Sequence, residues 1–259
     1  MVEAAVIFVA GICAGGMNVI VASGSLVTFP ILLLFGYPPL TANVTNNLGM
    51  VAGGVSGIYG YRRELKPNRA ILLRLAPASV IGSLVGAMLL LALPAEAFQT
   101  IVPALIAIGL VMVVIGPAVQ RRAARRTRAL GRDAGTPSAA SRIVLPIGMA
   151  LLGIYGGYFG AAQGILFIGL MGMFLNEGIQ RLTAIKNVVA TLVNAVAAVA
   201  FLIFAWEHID WPVVALISSG TFIGGYLGAH FGRRLSPVVL RALIIVIGLL
   251  ALIKILFLD

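Results

Sequence analysis

Two clusters of polar side chains could together bind an anion, because each supplies hydrogen-bond donors inside an otherwise apolar sequence. The first cluster opens an apolar segment in the first half of the chain and the second opens one in the second half; their members are Asn43, Thr45, Asn46, Asn47, and Thr183, Lys186, Asn187, Asn194. Amides and hydroxyls replace hydrogen bonds that an anion loses with its water, and an ammonium group adds positive charge. The residue types therefore indicate a site for a small anion.

A short polar interruption precedes each cluster. Ser23, Gly24 and Ser25 form the first interruption, and Gln163 and Gly164 form the second. The apolar arms that follow, residues 26–36 and 164–175, hold only eleven and twelve residues. A helix of that length rises about 17 Å, roughly half of a hydrocarbon core. We expect two half-helices whose N-terminal N–H groups point at a ligand. The alternative is that these glycines only allow close helix packing.

The composition predicts an all-α polytopic membrane protein. The sequence is 61% hydrophobic and 10% charged, with a mean hydropathy of +1.09, whereas soluble domains carry about 25% charged residues. The alternating pattern of a transmembrane barrel is absent. We expect two half-helices and eight full-length helices, the latter at residues 4–22, 41–61, 70–92, 98–118, 143–162, 182–206, 211–231 and 237–258.

The charge and the reactive residues exclude other classes. The net charge is +10, but the basic residues sit in loops between spans rather than on a face with interleaved aromatics, so we expect no nucleic-acid partner. Cys13 is the single cysteine, so we expect no disulfide, metal site or cofactor. The apolar segments contain no Ser/His or paired-Asp motif, which argues against an intramembrane enzyme.

The basic loops divide the chain into two halves of opposite orientation. Loops 62–69, 119–142 and 232–236 are basic and should be cytoplasmic, whereas the turns around Glu96 and Glu207 carry no Lys or Arg and should face outside. The count predicts a first repeat at 1–118, a basic cytoplasmic linker at 119–142 and a second, inverted repeat at 143–259. Each repeat is a broken-helix hairpin plus three transmembrane helices. Inverted repeats place the substrate site between the halves.

This pattern resembles the TauE/SafE family of sulfite and organosulfonate exporters. The resemblance rests on the small-residue interruptions, on the arm Leu26–Leu32 with Pro30 inside it, and on the Ala/Thr/Asn-rich helix start that follows. It extends over essentially the whole chain, although the second arm lacks a proline. It implies export of small sulfur-containing or other organic anions across the cytoplasmic membrane, with no catalytic residue.

Several alternatives stay open at the level of sequence. The same architecture could take up thiosulfate or a small carboxylate, or the chain could be a non-transporting scaffold that docks a partner on its arginines. Lys186 could face the anion or extend to the interface. The arginine run is typical of contact with anionic lipid. The oligomeric state is undetermined, a homodimer being one option.

The arginine placement predicts that both termini lie outside and that residues 119–142 lie in the cytoplasm. In a Cys13→Ala background, a Ser138→Cys variant should resist a membrane-impermeant thiol reagent added to intact cells and should react after permeabilisation. Labelling of intact cells would contradict the inverted arrangement.

Overall fold

A computed structural model of the chain describes residues 1–65, 68–130, 139–175, 177–231 and 237–257. The middle of the predicted linker, residues 131–138, and the predicted basic turn at 232–236 lie outside the described residues. Within the described ranges every regular element is a helix. The predicted all-α class is therefore confirmed.

Eleven α-helices follow one another in the described ranges, with a 3₁₀ turn at Trp206–His208 before the tenth. They are α1 (Val2–Ile20), α2 (Ser25–Leu34), α3 (Pro39–Gly60), α4 (Arg62–Leu65), α5 (Arg69–Ala92), α6 (Ala95–Leu130), α7 (Ala139–Tyr158), α8 (Gln163–Phe174), α9 (Ile179–Phe204), α10 (Trp211–Phe231) and α11 (Pro237–Phe257).

The helices lie close to the segments expected from hydropathy. Six of the described helices are long and apolar enough to cross a bilayer, namely α1, α5, α6, α9, α10 and α11. The chain is therefore a multi-pass membrane protein. Among the boundaries that differ from expectation, two place helix in arginine-rich loops: α6 continues to Leu130, into the predicted linker, and the loop expected at 62–69 contains α4. Both extensions are arginine-rich, and arginine is a good helix former when its head group is solvated.

The two predicted interruptions are sharp reversals of the chain. Ala22 separates α1 from α2 with φ 68°, and Ala162 separates α7 from α8 with φ 57°. A left-handed backbone costs an L-residue roughly 1–2 kcal/mol, so a small side chain limits the strain at each point. Gly160, just before the second reversal, has φ 73°. The chain thus turns back at matching places, and α2 and α8 are the short arms that return.

The first helix of each half packs against the fourth membrane helix of the other half. In the α1/α10 pair, a Cβ on Gly224 would lie 1.9 Å from the carbonyl oxygen of Ile12. In the α7/α5 pair, a Cβ on Gly86 would lie 2.0 Å from the carbonyl oxygen of Ile154. Only glycine permits these approaches, so backbone lies on backbone across the boundary between the halves.

Successive contacts along each pair also show whether its two helices run parallel or antiparallel. Along α1, Gly11 meets Ile217 and Gly15 meets Thr221, so both helices advance by four residues together and run parallel. The α7/α5 pair repeats this register, with Gly153 against Ser79 and Gly157 against Ser83. The buried apolar core is therefore shared between the halves.

These contacts predict a steep cost for adding one methyl group. Gly224→Ala should lower the free energy of unfolding by about 1–3 kcal/mol, because the new Cβ overlaps a carbonyl oxygen that belongs to rigid backbone. Gly178→Ala is the matched control, since a Cβ there meets nothing within 4 Å. Thermal unfolding in detergent measures both. Equal midpoints for the two variants would contradict the packing described.

Candidate anion-binding site

Lys186 is a buried cationic side chain at the boundary between the halves. It stands seven residues after Ile179, the first residue of α9, and therefore about 10 Å along the helix. The side chain is only 1% exposed. Its Nζ donates a hydrogen bond of 2.8 Å to the carbonyl oxygen of Asn18, near the C-terminus of α1. It does not reach the protein surface, as a side chain extending to the interface would.

The two chain reversals meet beside this lysine. A Cβ on Gly164 would lie 2.6 Å from Cβ of Ala22 and 2.8 Å from Cδ of Lys186. Any larger residue at position 164 would displace the opposing reversal. Ser23 and Gln163, both buried, flank this contact in the sequence. The structure thus brings the two predicted interruptions and the predicted cation to one place.

Buried polar atoms without partners concentrate in the same residues. Among the described residues, five buried side-chain atoms have no hydrogen-bond partner, and four of them belong to residues predicted to bind the anion: Ser23 Oγ, Asn47 Oδ1, Gln163 Oε1 and Asn187 Nδ2. An unsatisfied buried group costs about 1–3 kcal/mol. A ligand or water that pairs with these atoms would recover that energy, so they are candidates for contact with a bound anion.

The half-helix N-termini also keep backbone donors free. The N–H of Leu26 donates to the Ser23 carbonyl and that of Ile165 donates to the Ala162 carbonyl. Within the described part of the chain, the N–H groups of Gly24, Ser25 and Gly164 make no hydrogen bond. Free N–H groups at a helix start attract anions through their partial positive charge.

Further hydrogen bonds fix the polar residues around this point. Asn43 Nδ2 donates to the carbonyl oxygen of Tyr158 at the end of α7, at 3.0 Å. Gln163 Nε2 donates to Asn194 Oδ1, also at 3.0 Å. The first bond crosses between the halves and mirrors the bond from Lys186 to the end of α1. Each reversal is therefore held by a side chain from the third helix of the other half.

Three predicted residues have their polar groups engaged elsewhere. Thr45 Oγ1 accepts the N–H of Asp210 at 3.1 Å, in the connection before α10. Thr183 Oγ1 donates to the Ile179 carbonyl of its own helix at 2.8 Å. Asn46 Oδ1 accepts a short hydrogen bond from Thr28 of α2. These contacts position helices, and the structure does not gather the two hydroxyls at the lysine.

Some groups at the site gave no signal in the sequence. The partners of Lys186 and Asn43 are backbone carbonyls, which every residue carries, so residue type could not reveal them. Ala22 looked like ordinary apolar sequence, yet it takes the left-handed conformation and closes on Gly164. A small residue before a Ser-Gly pair was the available clue to a reversal.

In the described part of the chain, no acidic side chain pairs with Lys186. Among the acidic side chains of the described ranges, Glu177 forms an ion pair with Arg181 at 2.9 Å, and Glu207 lies 3.9 Å from the ring of His208. The same ranges contain no group of three His, Cys, Asp or Glu that could hold a metal ion. The site can therefore offer an anion one buried ammonium, neutral amides, a hydroxyl and free N–H groups.

Comparisons with known proteins agree with a membrane transport role. The chain is 27% identical to a probable membrane transporter protein, ORF9, of Sinorhizobium sp over 97% of its own length and 92% of that protein. It is 26% identical to the probable membrane transporter protein YfcA of Escherichia coli K12, over 97% of this chain and 89% of the relative. No solved structure matches.

The family model described as sulfite exporter TauE/SafE matches residues 7–255. That match includes both reversals, both polar clusters and Lys186. The chain is a multi-pass membrane protein of the TauE/SafE family.

Proposed function

We propose that this protein is a secondary transporter or facilitator that exports sulfite or small organosulfonates across the cytoplasmic membrane. The substrate binds between two inverted repeats, and no bond is made or broken. The observation that carries the proposal is the Lys186 ammonium, buried where the two reversals touch and bonded only to a backbone carbonyl. An amino group that has no acidic partner in the described part of the chain is useful chiefly to an anion that comes and goes.

Helix directions support the inverted repeat. Gly49 of α3 meets Ile217 and Gly53 meets Thr221, so α3 runs parallel to α10, as α1 does. Helix α5 follows α3 after a connection of only eight residues, 61–68, so it returns across the membrane. Since α7 runs parallel to α5, the first helices of the two halves run in opposite directions. That relation is the one expected of inverted repeats.

The bond from Lys186 to Asn18 gives the anion a way to act on the structure. An oxyanion at Nζ is a stronger partner than a neutral carbonyl, because it adds attraction between opposite charges to the hydrogen bond. The ammonium has three donors and Asn18 accepts from one of them, so the anion binds at a free donor, draws Nζ away from the carbonyl and frees the end of α1 from α9. Asn187 Nδ2, Ser23 Oγ and the free N–H of Gly164 supply further donors.

Release of that contact allows the halves to move. In this conformation Ala22 lies against Gly164, and a bond from each half holds the reversal of the other. Anion binding removes the bond that depends on charge and leaves the amide bond from Asn43 to Tyr158. The site then alternates between the two sides as the bundle that contains α1 and α10 rocks against the bundle that contains α5 and α7, a form of alternating access used by other transporters.

The membrane potential sets the direction. An inside-negative potential drives each negative charge outward with about 2.3 kcal/mol per 100 mV. The acidic residues of the sequence fall at segment ends or in loops, and a coupled symporter commonly uses a buried carboxylate. Outward movement of the anion down its electrochemical gradient requires no coupling ion.

Removing the charge of Lys186 should abolish most transport. Lys186→Gln should lower sulfite flux into liposomes about tenfold or more, because losing a hydrogen bond to a charged group costs about 1.5–3 kcal/mol. Lys186→Arg should recover only part of the flux, since its planar fork differs from a compact ammonium. Flux is compared at matched amounts of reconstituted protein and fixed voltage.

Two variants separate this role from general effects. Arg63→Gln removes one exposed positive charge and should leave flux unchanged. Lys186→Met should lose flux while unfolding at the same or a higher temperature, because it relieves the desolvation of a buried ammonium. Flux of Lys186→Gln within twofold of the wild type would refute the proposed role.

A further inference from the structure

A groove distinct from the anion site opens on the outer surface of the helix bundle. It lies between α6 and α7, with α8 as its floor, and has a volume of about 690 Å³. This lies within the 300–1,000 Å³ that is typical of ligand pockets. Its rim residues Ile115, Leu151 and Met173 are 39%, 61% and 51% exposed. Because these helices lie in the membrane, the groove faces the bilayer rather than the anion site.

The groove is apolar along its length and positively charged at one end. Helix α6 contributes one stripe, Met112, Ile115, Val119 and Arg122, at a spacing of three and four residues. Arg122 is the only charged residue of the lining. It stands about 10 Å beyond Ile115 along the helix axis, toward the end of α6 that the arginine count places in the cytoplasm. The polarity of the groove therefore matches an amphiphile with an anionic head.

Glycines make the room for this groove. A Cβ on Gly169 would lie 2.8 Å from Cγ1 of Val119, and one on Gly148 would lie 2.7 Å from Cδ2 of Leu170. The short helix α8 therefore lies close against α6 at Gly169 and close against α7 at Gly148, and Gly169 adds no side chain to the floor. A smooth, narrow, apolar channel fits a flexible hydrocarbon chain.

In the described part of the chain, no acidic side chain pairs with the arginine at the positively charged end of the groove. Arg121 and Arg125 are exposed beside Arg122 on α6, and Arg122 has no ion pair or hydrogen bond there. On the other side of α6, the like charges of Arg121 and Arg241 repel each other. Nε of Arg241 is buried without a partner. This end of the bundle thus attracts phosphate.

We propose that the groove binds one acyl chain of an anionic phospholipid, whose phosphate pairs with Arg122. The lipid covers the α6/α8 seam, and α8 is one of the two arms that end at the anion site. Basic residues near a membrane surface each contribute about 1 kcal/mol to binding of anionic lipid. The inference does not depend on which anion is transported.

Native mass spectrometry of the purified full chain tests the proposal directly. The protein is incubated with dioleoyl phosphatidylglycerol or with dioleoyl phosphatidylcholine, which have the same chains. We expect the wild type to retain one phosphatidylglycerol selectively. Arg122→Gln should retain about fivefold less, the share expected for one basic residue. Arg125→Gln removes the same charge one turn away, outside the lining, and should reduce retention less than Arg122→Gln does.

Two further experiments distinguish binding of the acyl chain from binding of the lipid head group. Leu151→Trp fills the groove at an exposed position and should reduce phosphatidylglycerol retention without lowering the unfolding temperature. Glycerol phosphate, which has the head group but no chains, should not compete. Equal retention of the two lipids, or equal loss in Arg122→Gln and Arg125→Gln, would overturn the proposal. A dimer that Leu151→Trp dissociates would instead assign the groove to a second copy of the chain.

Discussion

The amino group of Lys186 lies inside the helix bundle, where water does not reach it, and the rest of the site is arranged around that fact. A buried ammonium is costly unless hydrogen bonds replace its hydration. Here Nζ donates one hydrogen bond to the carbonyl oxygen of Asn18. That oxygen lies near the C-terminus of α1, which is the negative end of the helix dipole. A carbonyl satisfies one of three donors, so the group is held in place yet incompletely paired. A transporter needs that balance, because a residue paired with a buried carboxylate would have little affinity left for a passing anion.

The glycine contacts stabilise the helix bundle that contains this polar centre. Backbone lies on backbone between α1 and α10 and between α5 and α7, where a Cβ on Gly224 or Gly86 would lie about 2 Å from an oxygen. In lipid the stability of a bundle depends on close packing, since hydrocarbon surrounds apolar side chains in either state. The tight seams lie between the halves and flank the loosely satisfied residues.

Hydropathy and glycine patterns predicted most of the fold, because a membrane-spanning helix must satisfy its backbone internally and shows this in length and composition. The short arms and the reversals were visible as interruptions, and the cation was visible as Lys186. Side-chain type identified candidate donors, but it could not separate Asn187, whose Nδ2 is unpaired, from Thr183, which bonds its own helix. It also missed the carbonyls of Asn18 and Tyr158 and the cap on α2, where Lys254 donates to Leu33 at 3.0 Å. Which donors are paired, and with which carbonyls, depends on three-dimensional packing between the halves. The periodicity of a single sequence does not reveal that packing.

The central claim is that a small anion binds at Nζ of Lys186, and nuclear magnetic resonance of ¹⁵N-lysine-labelled protein tests it most directly. The sequence contains three lysines, Lys66, Lys186 and Lys254, so the spectrum is simple and the Lys186→Gln variant assigns the signal. Sulfite or sulfoacetate should shift the Lys186 resonance saturably, as the anion replaces the Asn18 carbonyl, while the Lys254 resonance stays fixed on the α2 carbonyls. A Lys186 signal that stays unchanged at anion concentrations that saturate transport would contradict the account.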